Sequence, residues 1–247
     1  MRIVIFGAGL IGAQLRDRLV KDGHDAVALG REAGIDTTTG RGVAEAVAGA
    51  EVVVDLTNSP SWADDDVLAF FRDSTRHLVA AGAEAGVGHH VILSIVGADR
   101  LTDSGYMRAK LAQEEGVRAG SVPFTIVRST QFFEFLPGIA DAATVDGEVR
   151  ATPGRIQPIA SHDVVAHLAE VVTGSPAGGI VEVAGPEAMG IDDAVRRLLA
   201  ARDDDRPVVT DPAAGYFGAQ LDDTALVATP GAGTWIAPTS LEDWLRE

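Results

Sequence analysis

Two hydrophobic periods alternate along the first half of the chain. Short apolar runs at residues 2–6, 51–57, 90–97 and 124–130 have the length and the β-branched content of buried strands. The segments between them place apolar residues at helical spacing, and the longest such segment covers residues 64–85. Strands that alternate with helices predict an α/β fold with a doubly wound parallel sheet covered by helices on both faces.

The pattern becomes less regular in the second half of the chain. Residues 131–160 are rich in turn residues, and residues 176–240 carry shorter strand and helix patterns. A helix is predicted over residues 161–172, with Ser161 as its N-cap. Because no linker composition separates these segments, we expect a single domain over residues 1–247 with a small C-terminal lobe from about 131–160 and 176–240.

The composition narrows the classes of partner. The chain has no cysteine, which excludes disulfides, thiolate metal sites and cysteine nucleophiles. Its formal net charge of −16 repels phosphate backbones and anionic membrane surfaces, so we expect no nucleic-acid or membrane partner. No apolar run approaches membrane length and Met1 leads directly into a strand pattern, so we expect a soluble, cytoplasmic protein.

Metal binding is not expected from the remaining ligand types. The adjacent His89 and His90 precede a predicted strand, and we expect them to cap a loop. The aspartate triplets at residues 64–66 and 203–205 are typical of solvated loops and helix starts. The sequence therefore predicts no resident metal.

A glycine-rich turn follows the first predicted strand. Gly7, Gly9 and Gly12 match the Gly-x-Gly-x-x-Gly pattern directly before a predicted helix. Glycine permits the tight turn and the close approach of a pyrophosphate, while the helix N-terminus offers free N–H donors to the anion. We therefore expect a dinucleotide at this turn rather than a glycine turn without a ligand.

The residues that end the second predicted strand, 25–30, indicate which dinucleotide binds. An NAD site usually ends this strand with an acid for the ribose 2′-hydroxyl, whereas an NADP site needs a basic group for the 2′-phosphate. Gly30 stands where the acid is usual and Arg31 follows it, so we expect NADP(H) as the cofactor. The alternative is that Arg31 is a surface charge and Glu32 holds the ribose of NAD.

A tyrosine and a lysine four residues apart form the candidate catalytic pair. The chain has only two tyrosines and two lysines, yet Tyr106 and Lys110 have the spacing that stacks side chains on one helix face. Apart from Lys21, every other basic residue is an arginine, so lysine at position 110 is unusual for this chain. Ser94 lies on the preceding predicted strand, at whose carboxyl end ligands bind in such sheets.

These motifs resemble those of the short-chain dehydrogenase/reductase superfamily and, within it, the atypical NmrA-like branch of NAD(P)-binding proteins. The resemblance runs from "GAGLIG" at residues 7–12 through "YMRAK" to "LEDWL" near the end of the chain. It implies a Rossmann-type fold in which Tyr106 exchanges the proton of a substrate carbonyl or alcohol and Ser94 polarises the same oxygen. Lys110 would hold the nicotinamide ribose and lower the pKa of the tyrosine.

Further contacts with cofactor and substrate are expected around these motifs. For the cofactor we expect contacts from Leu10, Ile11, Asp36, Leu56, Thr57 and Ser129, besides the glycines, Arg31 and Lys110. For the substrate we expect Val96, Trp62, Gln131, Phe132 and Phe133, because clustered aromatic residues can line an apolar pocket. An aromatic ketone, a quinone or a polyketide-like molecule fits such a lining better than a sugar nucleotide does.

The expected function is that of an NADPH-dependent carbonyl or quinone reductase, a ketoreductase that acts on a small molecule as a monomer or homodimer. Two features depart from the superfamily pattern. The glycine turn is tighter than the common forms, and the catalytic asparagine before the serine strand is absent, which leaves Asn58 as the only asparagine. Two other functions stay open: a non-catalytic NAD(P)H sensor that binds a partner protein, and a nucleotide-sugar epimerase or dehydratase.

Overall fold

A computed structural model describes residues 1–217, 219–231 and 233–247. The chain separates into two units, each built from two segments of the sequence. The first unit comprises Met1–Arg128 and Val164–Val181, and the second comprises Ser129–Asp163 and Glu182–Glu247.

The first 129 residues alternate strands and helices, as their hydrophobic pattern predicts. The strands are β1 (Arg2–Phe6), β2 (Asp25–Leu29), β3 (Val52–Asp55), β4 (His89–Ile95) and β5 (Phe124–Ser129). The helices are α1 (Leu10–Lys21), α2 (Val43–Val47), α3 (Asp64–Glu84) and α4 (Gly105–Arg118), with a 3-10 turn at Arg31–Ala33. Valine and isoleucine make up most of β1 and β3, where β-branched side chains pack well on a pleated surface.

The elements after residue 129 are shorter. In chain order they are a 3-10 turn (Phe133–Phe135), α5 (Leu136–Ala142), β6 (Thr144–Val145), β7 (Glu148–Ala151), β8 (Arg155–Ile156), α6 (Ser161–Thr173), β9 (Gly179–Ala184), β10 (Met189–Gly190), α7 (Ile191–Ala201), β11 (Val208–Thr210), β12 (Thr234–Ile236) and α8 (Leu241–Trp244). Within the second unit, one small sheet has the order β11-β7-β6 and another pairs β10 with β8.

Seven strands form a parallel sheet in the order β12-β9-β5-β4-β3-β1-β2, with helices flanking it. The register brings three strand ends side by side, since Phe6 of β1 aligns with Leu29 of β2 and with Asp55 of β3. The backbone pairing continues one residue past the strands, because Gly7 N donates to Leu29 O at 2.8 Å and Leu56 N donates to Phe6 O at 2.8 Å. The predicted Rossmann-type α/β fold is confirmed.

Helices α3 and α4 pack against each other and share a small apolar cluster. Val67 and Phe71 of α3 and Ala109 of α4 are fully buried, and Tyr106 packs against them while remaining partly exposed. Apolar burial of this kind contributes roughly 25 cal/mol per Å² to stability. The cluster therefore fixes the side of α4 that carries the tyrosine.

The paired histidines do not cap a loop, so that expectation is wrong. His89 and His90 are the first residues of β4 and are 3% and 1% exposed. His89 Nε2 lies 2.9 Å from Thr125 Oγ1, but neither ring nitrogen of His90 has a hydrogen-bond partner among the residues that the structure describes. Burial, with a smaller effect from the neighbouring His90, lowers the pKa of His89 to about 4, and burial also lowers the pKa of His90.

The expectation that Ser161 is the N-cap of α6 is wrong, because the helix already includes this residue. Ser161 is the first residue of the helix, and its hydroxyl donates to Glu134 Oε1 at 2.6 Å. The carboxylate of Glu134 accepts the backbone N–H of Ser161 as well, at 3.2 Å. An acid from a distant part of the sequence thus satisfies a free donor at the helix start, which complements the positive end of the helix dipole.

Across the described ranges, no helix combines the length and the apolar character needed to cross a bilayer. No group of three or more histidine or acidic side chains is arranged to hold a metal ion in that part of the chain.

The buried histidines predict a loss of stability in mild acid. In the unfolded chain they take up protons near pH 6.5, whereas their lowered native pKa values resist this, so stability falls as the pH drops from about 6.5 towards 4. Urea denaturation at about pH 7.5 and about pH 5 measures the fall. His90→Leu should make it smaller, and His162→Gln, which alters an exposed histidine, should leave it unchanged. A parent protein equally stable at both pH values contradicts the prediction.

Candidate functional site

The glycine turn connects β1 to α1 and brings backbone very close to backbone. Gly7 has a φ of 104°, and a Cβ there would lie 2.5 Å from the Leu56 carbonyl oxygen. A Cβ at Gly12 would lie 1.8 Å from the Gly7 carbonyl oxygen. Both positions thus require glycine for the local fold. Gly9 differs, because its backbone is extended and a Cβ would meet none of the described heavy atoms within 4 Å.

A cavity of about 300 Å³ lies at the joined carboxyl ends of β1, β2 and β3. Its lining includes three residues expected to touch the cofactor, Gly7, Arg31 and Thr57, together with Glu32 and Asn58. The volume is at the lower end for a small-molecule pocket, and its position at strand ends is where parallel α/β sheets bind ligands. The structure therefore brings the glycine turn and the end of β2 to one cavity.

The other residues expected at the cofactor are outside that lining. Leu10 is exposed at the start of α1, whereas Ile11, the next residue, is buried. The backbone of Leu56 packs on Gly7.

The Asp36 carboxylate accepts hydrogen bonds from its own loop. The bond from the Thr38 hydroxyl is the main cause that lowers the pKa of Asp36, and the charge of Arg31 is a minor one. Ser129 is buried in the second unit, where its hydroxyl donates to the Thr130 carbonyl oxygen at 2.9 Å.

A basic and an acidic residue follow each other just after β2. Arg31 and Glu32 are both exposed, and both line the cavity. The Glu32 carboxylate folds back over Gly30, such that a Cβ on Gly30 would lie 2.6 Å from Glu32 Oε1. Glu32 thus places an acid over the strand end although Gly30 itself has no side chain. This position favours the alternative expectation from the sequence, in which Glu32 holds the ribose of NAD.

Tyr106 lies near the N-terminal end of α4, between two aromatic rings. Its hydroxyl donates to Asn58 Oδ1 at 3.2 Å, and its ring centroid is 5.5 Å from that of Trp62 and 6.1 Å from that of Phe71. Burial raises the pKa of Tyr106 to about 12. This is opposite to the lowering expected from Lys110, because the loss of hydration disfavours the phenolate. Tyr106 is therefore a neutral phenol at physiological pH.

Lys110 lies one turn further along α4, and it is only 4% exposed. Its ammonium donates to the Leu93 carbonyl oxygen at 2.8 Å and to Gln113 Oε1, and it stands 4.5 Å from the centroid of the Phe71 ring. Burial lowers the pKa of Lys110 to about 8, against the opposing charges of Asp55 and Glu114. The pair Tyr106 and Lys110 thus shares one helix face and one aromatic neighbour, Phe71.

Ser94 is not brought to Tyr106 in this structure. Its hydroxyl donates to Glu114 Oε1 at 2.7 Å, inside a buried ion pair in which Arg128 Nε lies 2.8 Å from the same oxygen. Glu114 is eight residues beyond Tyr106 on α4, which corresponds to about 12 Å along the helix axis. The serine hydroxyl is therefore engaged two turns away from the phenol. That it polarises the substrate oxygen stays a prediction.

The residues expected at the substrate are divided between the two units. Val96 is buried and Trp62 is 71% exposed, and both belong to the first unit. In the second unit, Phe132 stacks on Phe135 with centroids 5.3 Å apart, and the fully buried Phe133 packs on Trp244 with centroids 5.5 Å apart. Phe133 thus serves the core of its own unit. Gln131 is also buried there, and its amide has no partner among the described residues.

Several polar residues around the pair were missed by the sequence interpretation. Asn58 accepts the tyrosine hydroxyl, and Gln113 and Glu114 surround Lys110 and Ser94. A signal was present for two of them, since Gln113 and Glu114 lie seven and eight residues after Tyr106 and so share its helix face. Asp55 carried no such signal beyond being an acid at the end of an apolar strand.

Solved structures with a similar fold bind nicotinamide dinucleotides. A short-chain dehydrogenase/reductase superfamily protein from Agrobacterium tumefaciens with bound NAD is 17% identical, with a TM-score of 0.73 over 100% of this chain and 95% of that one. The dTDP-4-dehydrorhamnose reductase of Bacillus anthracis, in complex with NADP, is 15% identical, with a TM-score of 0.80 over 99% and 97% of the two chains. The Bordetella bronchiseptica enzyme WbmG, in complex with NAD and UDP, is 17% identical, with a TM-score of 0.70 over 100% and 92%.

Sequence comparison identifies the family of the chain. No curated protein matches it in sequence. The model of the NAD(P)H-binding family matches residues 7–174, a range that includes the glycine turn, all the cavity residues except Phe6, and the Tyr106–Lys110 pair. Since the matched range covers more than half of the 247 residues, the chain belongs to the NAD(P)H-binding family of Rossmann-fold proteins.

Proposed function

We propose that the protein is an NADPH-dependent oxidoreductase that reduces a carbonyl group of a small, apolar substrate. The observation that carries the proposal is that one residue, Asn58, both lines the cavity at the strand ends and accepts a hydrogen bond from the hydroxyl of Tyr106 at 3.2 Å. The proton-donating phenol is thereby one hydrogen bond from the cavity. Family membership supports the use of NAD(P)H, and the site supports the chemistry.

The cavity residues suit a dinucleotide. The open space above Gly9 and the N-terminus of α1 would accept the pyrophosphate, since free backbone N–H groups point at an anion there. Gly7 and Gly12 keep the turn tight enough for this approach. The nicotinamide supplies a hydride to the carbonyl carbon when the reduced cofactor is bound. The residues of this chain then have to provide a proton for the carbonyl oxygen.

Tyr106 is the residue that supplies this proton in the proposal. A phenol whose pKa is about 12 stays protonated at neutral pH, so it acts as an acid towards an oxygen on which negative charge develops. The O–H bond of the tyrosine breaks as the new alcohol O–H forms. The ammonium of Lys110, one turn along the helix, then stabilises the resulting phenolate electrostatically. Ser94 has no part in this proposal, because its hydroxyl donates to Glu114.

The choice of NADPH over NADH rests on Arg31. Arg31 lines the cavity at the end of β2, and a planar cation such as its guanidinium pairs well with a phosphate. Glu32, whose carboxylate covers Gly30, favours NADH instead, since it would accept a ribose hydroxyl and repel a 2′-phosphate. We propose that Arg31 reaches the phosphate and that Glu32 weakens the preference without reversing it.

The substrate class is proposed from the aromatic residues around the site. Trp62 is exposed beside Tyr106, and such a surface accepts a flat apolar ring better than a charged sugar nucleotide. A nucleotide-sugar reductase is the second candidate, favoured by the fold similarity to the dTDP-4-dehydrorhamnose reductase of Bacillus anthracis. Consumption of NADPH with aromatic ketones and quinones, compared with that on dTDP- and UDP-linked keto sugars, distinguishes the two.

Gly9→Ala should separate cofactor binding from folding. A Cβ at position 9 meets no described atom, so the melting temperature should stay close to that of the parent, whereas NADPH affinity should fall by about 10-fold or more. Gly12→Ala should instead destabilise the fold by about 2 kcal/mol or more, because its Cβ overlaps a carbonyl oxygen. The control is Gly138→Ala, at an exposed glycine in α5. Unchanged NADPH affinity in Gly9→Ala would remove the pyrophosphate from this turn.

Arg31→Ala should lower the affinity for NADPH by about 10-fold or more and leave that for NADH nearly unchanged, because it removes a charge-assisted bond to the 2′-phosphate. The matched variant is Glu32→Gln, which should strengthen NADPH binding. Fluorescence titration of both variants with both nucleotides measures the effects. A parent that prefers NADH and loses this preference in Glu32→Gln would show that the acid selects the cofactor.

Tyr106→Phe should lower turnover by about 10²–10⁴-fold and leave NADPH affinity within about twofold of the parent, because only the proton donor is lost. Tyr216→Phe, at the only other tyrosine, is the matched control and should keep parent activity. Steady-state rates on an accepted carbonyl substrate decide the outcome. If Tyr106→Phe retains more than about a tenth of the activity, the tyrosine is not the acid.

A further inference from the structure

A chain of hydrogen bonds connects the cavity at the carboxyl ends of β1, β2 and β3 with the buried Lys110. Thr57 lines the cavity, and its backbone N and hydroxyl donate to Asp55 Oδ1 at 2.9 and 2.6 Å. The other carboxylate oxygen, Asp55 Oδ2, accepts Gln113 Nε2 at 2.8 Å. Gln113 Oε1 in turn accepts from the ammonium of Lys110.

The chemistry of the two ends determines how the amide is oriented. An ammonium has only donors and a carboxylate has only acceptors, so the amide must present its oxygen to Lys110 and its nitrogen to Asp55. Asp55, Gln113 and Lys110 are 1%, 0% and 4% exposed, so water does not replace these bonds. A buried ammonium and a buried carboxylate are thus joined through one neutral group. Leaving either charge without its partner would be costly.

We propose that Asp55, acting through Gln113, is a positioning residue that keeps the Lys110 ammonium charged and in place beside Tyr106. The inference rests on the proposed function, since it explains how Lys110 is held for its role there. Asp55 and Gln113 are not among the residues that line the cavity. Their effect on the reaction passes through Lys110.

The groups around Lys110 explain why this support is needed. Burial favours the neutral amine, and the Phe71 ring and the Leu93 carbonyl oxygen offer no full charge against it. Two carboxylates oppose the effect, Asp55 from β3 and Glu114 from the same helix as the lysine.

The other charged and titratable neighbours do not replace Asp55. Arg128 of β5 already pairs with Glu114 at 2.8 Å, which reduces the effect of that carboxylate on the lysine. Burial lowers the pKa of His90 of β4 and keeps it neutral, although the charge of Asp55 has a smaller, opposite effect. Tyr106 is a neutral phenol. Asp55 is therefore the carboxylate whose charge acts on Lys110 without a cationic partner among these neighbours.

The link to Thr57 gives the chain a connection with the cavity. A Cβ on Gly7 would lie 3.1 Å from Thr57 N, so the residue that donates to Asp55 is also packed on the glycine turn. Asp55 thus anchors one wall of the cavity with one oxygen and supports Lys110 with the other.

The composition of the chain permits a direct measurement. Lys21 and Lys110 are the only lysines, so protein labelled with ¹³C or ¹⁵N in lysine has two side-chain signals to follow by NMR. Lys21 is exposed and serves as the internal reference. In the parent protein, the Lys110 signal should belong to an ammonium at pH 7 and should titrate near pH 8. A neutral amine at pH 7 overturns the proposal without any substitution.

Paired variants then test the route of the effect. Asp55→Asn removes the carboxylate and should lower the midpoint of the Lys110 titration by at least about one unit. In the double variant Asp55→Asn/Gln113→Glu, the amide at position 55 can donate to the carboxylate at position 113, which in turn accepts from Lys110. The total charge is that of the parent, so the midpoint should return to the parent value or above. Asp99→Asn removes a carboxylate that pairs with Arg128 at 2.7 Å, and it should leave the midpoint unchanged.

The outcomes separate this inference from the proposed function. If Asp55→Asn titrates like the parent, or if the double variant shows no recovery, Asp55 does not act on Lys110 through Gln113. If the titrations behave as expected while Tyr106→Phe remains active, the proposed reduction is wrong and the support of Lys110 by Asp55 stands.

On an accepted substrate, Asp55→Asn should lower turnover at pH 7 and shift the alkaline limb of the rate profile to lower pH. The double variant should restore both the turnover and the alkaline limb.

Discussion

The buried polar face of α4 is the interaction on which the site depends. Lys110 and Glu114 point from this helix into the protein and are 4% and 1% exposed, so each needs a partner that cannot be water. The partners come from three neighbouring strands: Asp55 through Gln113, the Leu93 carbonyl oxygen, and Arg128. Removing one side of such a buried pair typically costs about 3–5 kcal/mol. The register of α4 on the sheet is therefore strongly constrained, and Tyr106 is carried with it.

This constraint explains the electrostatic character of the site. The face that buries the lysine also buries the tyrosine against α3, and the lost hydration raises the pKa of the phenol while it lowers that of the amine. The result is a neutral phenol one helical turn from a lysine whose pKa burial has lowered. Opposing carboxylates then determine whether the amine stays charged. The packing that makes the helix fit the sheet and the electrostatics of the candidate reaction thus have the same origin.

Much of the architecture was predictable because local patterns and tertiary packing agree there. The apolar runs at 2–6 and 124–130 form strands close to their predicted limits, and the helix predicted at 64–85 is α3. Where a polar side chain is buried, local pattern misleads. His89 and His90 resemble a loop cap in sequence but begin β4, whose first four residues are buried, and the hydroxyl of Ser161 donates to Glu134, which lies 27 residues away in sequence.

By itself the sequence determined the alternation of strands and helices, the glycine turn, the nucleotide-binding family and the i,i+4 placement of Tyr106 and Lys110, because each follows from local periodicity or from a short motif. Only the tertiary structure decided which groups face the pair. The Ser94 hydroxyl donates to Glu114, and Asn58 accepts a hydrogen bond from the Tyr106 hydroxyl. The Glu32 carboxylate folds over Gly30. Partners such as Asn58 and Tyr106, 48 residues apart, are selected by the register of helices on strands, which no local pattern encodes. Burial then shifts the pKa values of Tyr106 and Lys110, because desolvation acts only once the surfaces have packed.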